Sequence, residues 1–119
     1  DAMAQYYLGR LYETGQGVAQ DHERAARLYQ AAAAQDIPNA QGNLAVLYAH
    51  GRGVPRDLVQ SYVLSTLAAT GYARWSLDLQ QTSLRNRDIV ALRMTAVELY
   101  EAQRQLAARE LGDVGSSTP

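Results

Sequence analysis

The chain has 119 residues, with 11 basic and 12 acidic side chains and a formal charge of −1. That length suits one domain, and the balance excludes bulk electrostatic attraction to nucleic acid or to an anionic membrane. Cysteine is absent, which excludes disulfides and thiolate metal sites, and no apolar run approaches the roughly 20 residues of a membrane-spanning helix.

Residues 2–14 carry Ala4, Leu8, Leu11 and Tyr12 at helical spacing, an apolar stripe with a small residue where a neighbouring helix comes close. Gly15 and Gly17 end this helix, because glycine takes the left-handed geometry of a C-terminal cap without steric cost. Asp21 is an N-cap for the next helix, whose inner stripe is Ala25, Leu28, Tyr29, Ala32 and Ala33. The stretch from Asp36 to Asn39, with Pro38 inside it, breaks that helix and starts a third, which runs to about His50. The turn Gly51-Arg52-Gly53-Val54-Pro55 follows, and then a fourth helix from Asp57, where Asp57 and Gln60 read as a variant capping box. Thr70-Gly71-Tyr72 closes the fourth helix. Beyond it, residues 73–84 are expected to be helical, with Trp75 and Leu79 four apart, and Asp88–Met94 to form a short helix. Thr95 and Glu98 make a T-x-x-E capping box for a last helix to about Leu111, with Val97, Leu99, Tyr100, Gln103 and Leu106 mixing an apolar stripe with an exposed side. Residues 113–119 read as a frayed tail. No segment shows strand alternation, so the expected class is all-α.

The elements repeat at an offset of 36 residues. Ala4, Gln5, Leu8, Leu11, Tyr12, Gly15, Gly17, Val18 and Asp21 recur as Ala40, Gln41, Leu44, Leu47, Tyr48, Gly51, Gly53, Val54 and Asp57, and Leu28, Ala32 and Ala33 recur as Leu64, Ala68 and Ala69. Composition alone would give roughly three identities in such a window instead of these twelve. A period of this size marks a solenoid whose units bury their apolar faces against their neighbours.

The segment from Ala4-Gln5 through Leu8-Gly9 and Gly15-Gln16-Gly17-Val18 to Asp21, Ala25, Tyr29 and Ala32-Ala33 resembles the Sel1-like repeat, a helix-turn-helix unit related to the tetratricopeptide repeat. Ala40-Gln41 through Gly51-x-Gly53-Val54-Pro55 and Asp57 to Ala68-Ala69 resembles it nearly as well. Ala45 departs from the glycine of Leu-Gly, Gly42 from the usual tyrosine, and Ser65 stands where Tyr29 stands in the first unit, so the second unit has a less aromatic core. The resemblance implies a right-handed α/α solenoid with repeats at 2–37 and 38–71, an irregular third unit at 72–87 and capping helices at 88–112. The pattern opens in mid-unit at Asp1, which reads as a piece of a longer array. Similarity to bacterial members leaves the compartment open between periplasm and cytoplasm.

Chemistry finds little support. Gly15-x-Gly17 joins two helices with no lysine and no preceding strand, unlike a phosphate loop. The two histidines, His22 and His50, have no third metal ligand at a recognisable spacing. Ser61, Ser65, Ser76 and Ser83 lack a histidine–acid pair at recognisable spacing, and the carboxylates are dispersed. No cofactor, metal or catalytic residue is expected, and the rival readings of a hydrolase or a purely structural oligomerisation unit rank below binding. Tyr12, Tyr29 and Tyr48 are read as packing residues with hydrogen-bonded hydroxyls.

The resemblance implies a non-catalytic module that binds a protein partner through the concave face lined by the first helix of each unit. Positions there differ between the two units while packing positions recur, which nominates Tyr6, Arg10, Glu13, Asn43, Val46 and His50. Gly42, opposite Tyr6, leaves room for an entering side chain. Tyr72, Arg74 and Trp75 form a second candidate, since tyrosine, arginine and tryptophan dominate interface hot spots. The competing reading for Trp75 is filler for the core of the irregular unit. Some relatives neutralise a secreted enzyme as immunity proteins, which is the sharper alternative within binding. A monomer is expected unless the exposed repeat ends associate.

Overall fold

The computed structural model describes residues 1–116, which form six helices in a body of 44 × 37 × 26 Å. These are α1 (Ala2–Thr14), α2 (His22–Ala33), α3 (Pro38–His50), α4 (Leu58–Tyr72), α5 (Leu77–Ala91) and α6 (Ala96–Ser116). The starts obey local chemistry. The carboxylates of Asp1, Asp21 and Asp57 accept from the backbone N–H three residues on, and the Ser76 hydroxyl does the same for Leu79. α3 instead begins with Pro38 in its first turn, where the missing N–H costs nothing. Gly15 and Gly51 end α1 and α3 in the left-handed region, at φ 73° and 67°.

The third unit differs from expectation. Residues 73–75 belong to a connection, Ser76 is the N-cap, and α5 runs unbroken through Asp88 to Ala91. Neither a helix over 73–84 nor a separate one over 88–94 forms. The sequence between Leu77 and Ala91 holds no glycine or proline to interrupt it. α4 has 15 residues where α2 has 12. Those three extra residues move the start of α5 to 39 positions after the start of α3 (Leu77 against Pro38), so the period is displaced by most of a turn. Gly71, near the end of the longer α4, lacks a Cβ that would sit 2.4 Å from Pro38 Cγ. The Thr95–Glu98 box forms in full, with Thr95 N–H donating to Glu98 at 2.9 Å and Glu98 N–H donating to Thr95 Oγ1 at 3.1 Å. In contrast, only half of the Asp57–Gln60 box forms, because the Gln60 side chain turns to α6. α6 continues through residues 113–116, where fraying was expected. The rest of that expected tail, 117–119, lies outside the described residues.

The layers stack α1 on α2, α2 on α3, α3 on α4 and α4 on α5, while α6 folds back onto α4. The core consists of Ala25, Tyr29, Ala32, Ala40, Leu44, Leu47 and Ala68, with tyrosines at its margin. Tyr12 and Tyr48 are half-buried, and their hydroxyls accept hydrogen bonds from Arg24 (3.0 Å) and Gln30 (3.2 Å). α6 turns Ala102 fully inward and exposes Val97 and Tyr100. Its inner stripe is therefore Leu99, Ala102 and Leu106 rather than one that includes Val97 and Tyr100. Gln60 donates to Gln105 at 2.9 Å, and Arg109 pairs with Asp36 in the α2–α3 connection, so α6 straps the second unit to the end of the first.

Candidate functional site

The departures of the second repeat from the first are coupled in space. In the first repeat, a Cβ at Gly9 would lie 2.8 Å from the Tyr29 ring. The glycine is thus what admits that ring between α1 and α2. The ring is fully buried. Its hydroxyl donates to Glu13 Oε1 at 2.6 Å and accepts from Asn43 Nδ2 at 3.3 Å. Burial first, and then the Glu13 carboxylate, push the Tyr29 phenol well above its usual pKa. Thirty-six residues on, Gly9 becomes Ala45, Glu13 becomes Ala49 and Tyr29 becomes Ser65. No ring stands there, and a cavity of about 120 Å³ opens between α3, α4 and α5.

Its walls are apolar. Ala45, Val46 and Ala49 come from α3, Leu58 from α4, and Ile89 and Val90 from α5. On α4, Ser61 and Ser65 also line it, each only 2% exposed. Threonines on the same helix turn their hydroxyls back onto carbonyls four residues earlier, Thr66 to Tyr62 and Thr70 to Thr66. Among the described residues neither serine hydroxyl makes such a bond, and both serines line the cavity. His50, Asn86 and Arg93 complete the lining, and among the described residues no carboxylate does. The size is comparable with an engineered cavity of about 150 Å³ that takes up benzene.

The sequence-nominated residues divide. Val46 and His50 meet in this cavity, where His50 Nδ1 lies 2.9 Å from the Val46 carbonyl. Glu13 and Asn43 instead hold the Tyr29 hydroxyl. Tyr6 is buried with its ring 6.0 Å from that of Tyr29, so it is a core residue. Arg10 sits on the outer side of α1 with Tyr7, Leu11 and Thr14, apart from Val46, its counterpart in the repeat. The position above Gly42 is open, since a Cβ there would meet only Ala68 at 3.9 Å. Tyr72 is buried, and desolvation, together with the Tyr6 phenol, raises its pKa. Trp75 lies edge-on to it at 5.1 Å yet is 61% exposed, in the α4–α5 connection beside exposed Arg74. Trp75 is therefore not filler for the third unit's core. Sequence reading missed Ser61, Ser65, Asn86 and Val90 as lining residues. The substitution of Ser65 for Tyr29 was the available signal.

Among the described residues, no three histidine, cysteine or acidic side chains are grouped as a metal site, and no helix is long and apolar enough to cross a membrane. The fold and the cavity define an α/α solenoid of helix-turn-helix units with a ligand-sized gap between the second and third. The Sel1 repeat model matches residues 2–37 and 38–71, and the chain belongs to the Sel1 repeat family. It is similar to a protective antigen of uropathogenic Escherichia coli with an SLR fold, at 33% identity and TM-score 0.77 over 87% of this chain and 21% of that one. A Sel1 repeat protein from Oxalobacter formigenes shares the fold, with TM-score 0.57 and 23% identity over 76% of this chain and 44% of its own. The ERAD-associated E3 ubiquitin-protein ligase component HRD3A of Arabidopsis thaliana is 34% identical over 79 residues, 65% of this chain. The chain spans 12% of the length of that relative.

Proposed function

We propose that this chain is a non-catalytic protein-interaction module that takes a segment of a partner protein into the cavity between α3, α4 and α5. The observation that carries this reading is a largely apolar cavity, lined on α4 by Ser61 and Ser65, at the place where the Tyr29 ring has no counterpart in the second repeat. Convergent polar groups in an apolar recess are the usual form of a specific binding site. The similarity to HRD3A, by its name a component of a larger ligase, agrees with an adaptor role. The same cavity holds two serines and a histidine, which a hydrolase would need. However, among the described residues neither hydroxyl is hydrogen-bonded to His50, and no carboxylate lines the cavity to orient the imidazole.

Selection of a random peptide library on the purified chain tests this. Enriched peptides should bind the parent and lose binding to Ala49→Arg, which projects a long side chain into the cavity. Equal binding to both, or turnover of ester or peptide substrates by the pure chain, would overturn the reading.

A further inference from the structure

The chain carries an internal template for what its cavity accepts. In the first repeat, the space bounded by two successive helices and the next one along is filled by a phenol, that of Tyr29. The hydroxyl of this ring is held by Glu13 on one side and by Asn43, from the following helix α3, on the other. The equivalent space in the second repeat is vacated by Ser65 and remains as the cavity. Ser61 and Ser65, each 2% exposed, form its deep polar wall on α4, and the following helix, now α5, contributes an exposed asparagine, Asn86, about one turn further along than Asn43 lies on α3. Resting on the protein-binding reading above, we propose that this cavity is a receptor for one tyrosine side chain of the partner protein, which docks where the first repeat docks its own.

Two features favour tyrosine over an aliphatic or phenylalanine anchor. The apolar walls suit a ring, while an occupant without a polar tip would seal the Ser61 and Ser65 hydroxyls away from water with no partner. A lost hydrogen bond of that kind weakens binding by a factor of about five or more. Sites built to hydrogen-bond a hydroxyl discriminate strongly against the analogue lacking it. The Glu13 carboxylate has no counterpart at Ala49, so a neutral phenol meets hydroxyl and amide groups there rather than an anion.

The test uses p-cresol and toluene as probes, followed through amide chemical shifts of the whole chain. p-Cresol should shift Ser61, Ser65 and Val90 saturably and bind at least about fivefold more tightly than toluene. The Ser61→Ala, Ser65→Ala double variant should bring the two probes to parity. A second arm rebuilds the first repeat's arrangement in the second. Ser65→Tyr combined with Ala45→Gly should fill the cavity and abolish p-cresol binding, whereas Ser65→Tyr alone meets the Ala45 methyl. Equal affinity for the two probes on the parent chain, or no saturable shift with either, would overturn the tyrosine assignment. Peptides that still bind the parent and fail on Ala49→Arg would in that case leave the interaction reading standing. Conversely, enriched peptides that lack tyrosine would overturn the assignment alone.

Discussion

The two repeats carry the same residues at their packing positions and use them differently. Leu44 and Leu47 on α3 are buried, at 3% and 0%, while their counterparts Leu8 and Leu11 on α1 are 41% and 38% exposed. The difference is a neighbour, because α3 lies between α2 and α4 whereas α1 packs chiefly on α2. The turn glycines show the same contrast. A Cβ at Gly53 would stand 2.1 Å from the His22 carbonyl oxygen, whereas one at Gly17 would meet nothing within 4 Å. Each repeat's turn is thus shaped to sit on the start of the preceding unit's second helix, and here only the second turn does so. A repeat sequence encodes an interface twice, and the tertiary structure decides which copy is occupied.

The largest expected effect is at that turn. Gly53→Ala should cost more than about 4 kcal/mol, since backbone blocks the new methyl. Gly17→Ala should cost about 1–2 kcal/mol, the strain of a left-handed residue alone. Urea unfolding of the two variants measures the gap, and equal losses would mean that the turns are equivalent in solution. Next in size, Leu47→Ala should lose about 2–5 kcal/mol and Leu11→Ala less than about 1 kcal/mol. A large loss at Leu11 would show that the face of α1 is covered in solution.

The glycine–tyrosine exchange predicts a smaller asymmetry. Gly9→Ala should destabilise by about 1–3 kcal/mol through its clash with the Tyr29 ring. Ala45→Gly, with no ring to admit, should lose only about 0.5–1 kcal/mol in helix propensity. Tyr29 also links stability to pH. Its folded pKa is raised, so its contribution is complete below the ordinary tyrosine pKa, near 10, and is lost as pH climbs beyond it. The urea midpoint should therefore fall above about pH 10, and Tyr29→Phe should flatten that fall. An unchanged profile in Tyr29→Phe would place the alkaline sensitivity elsewhere, with Tyr72 the next phenol to substitute. The smallest effect is at the strap. Arg109 and Asp36 are both substantially exposed, so Arg109→Ala should change stability by less than about 1 kcal/mol.

Much of the architecture was legible because it is local. An aspartate caps a helix through its own carboxylate, and a glycine takes a positive φ whatever surrounds it, so Asp21, Asp57, Gly15 and Gly51 announce their roles one by one. Periodicity then places Tyr29 and Leu47 in a core. The third unit was misread where a local signal was outweighed. Trp75 and Leu79 are spaced for one helix, but the Ser76 cap and the longer α4 set the start of α5 between them.

The candidate site was legible only in outline. Ser65 in place of Tyr29 and Ala45 in place of Gly9 are visible in the sequence as two separate departures. That they face each other, and that losing the ring leaves room which α5 does not fill, follows from packing between helices far apart in the chain. By itself, then, the sequence determined the repeat family, the helix ends and the two turns, because each depends on a few adjacent residues. The tertiary structure decided which of two identical leucine pairs is buried, where α6 folds back, and where the core is left open. Burial and cavity volume belong to neighbours rather than to residues.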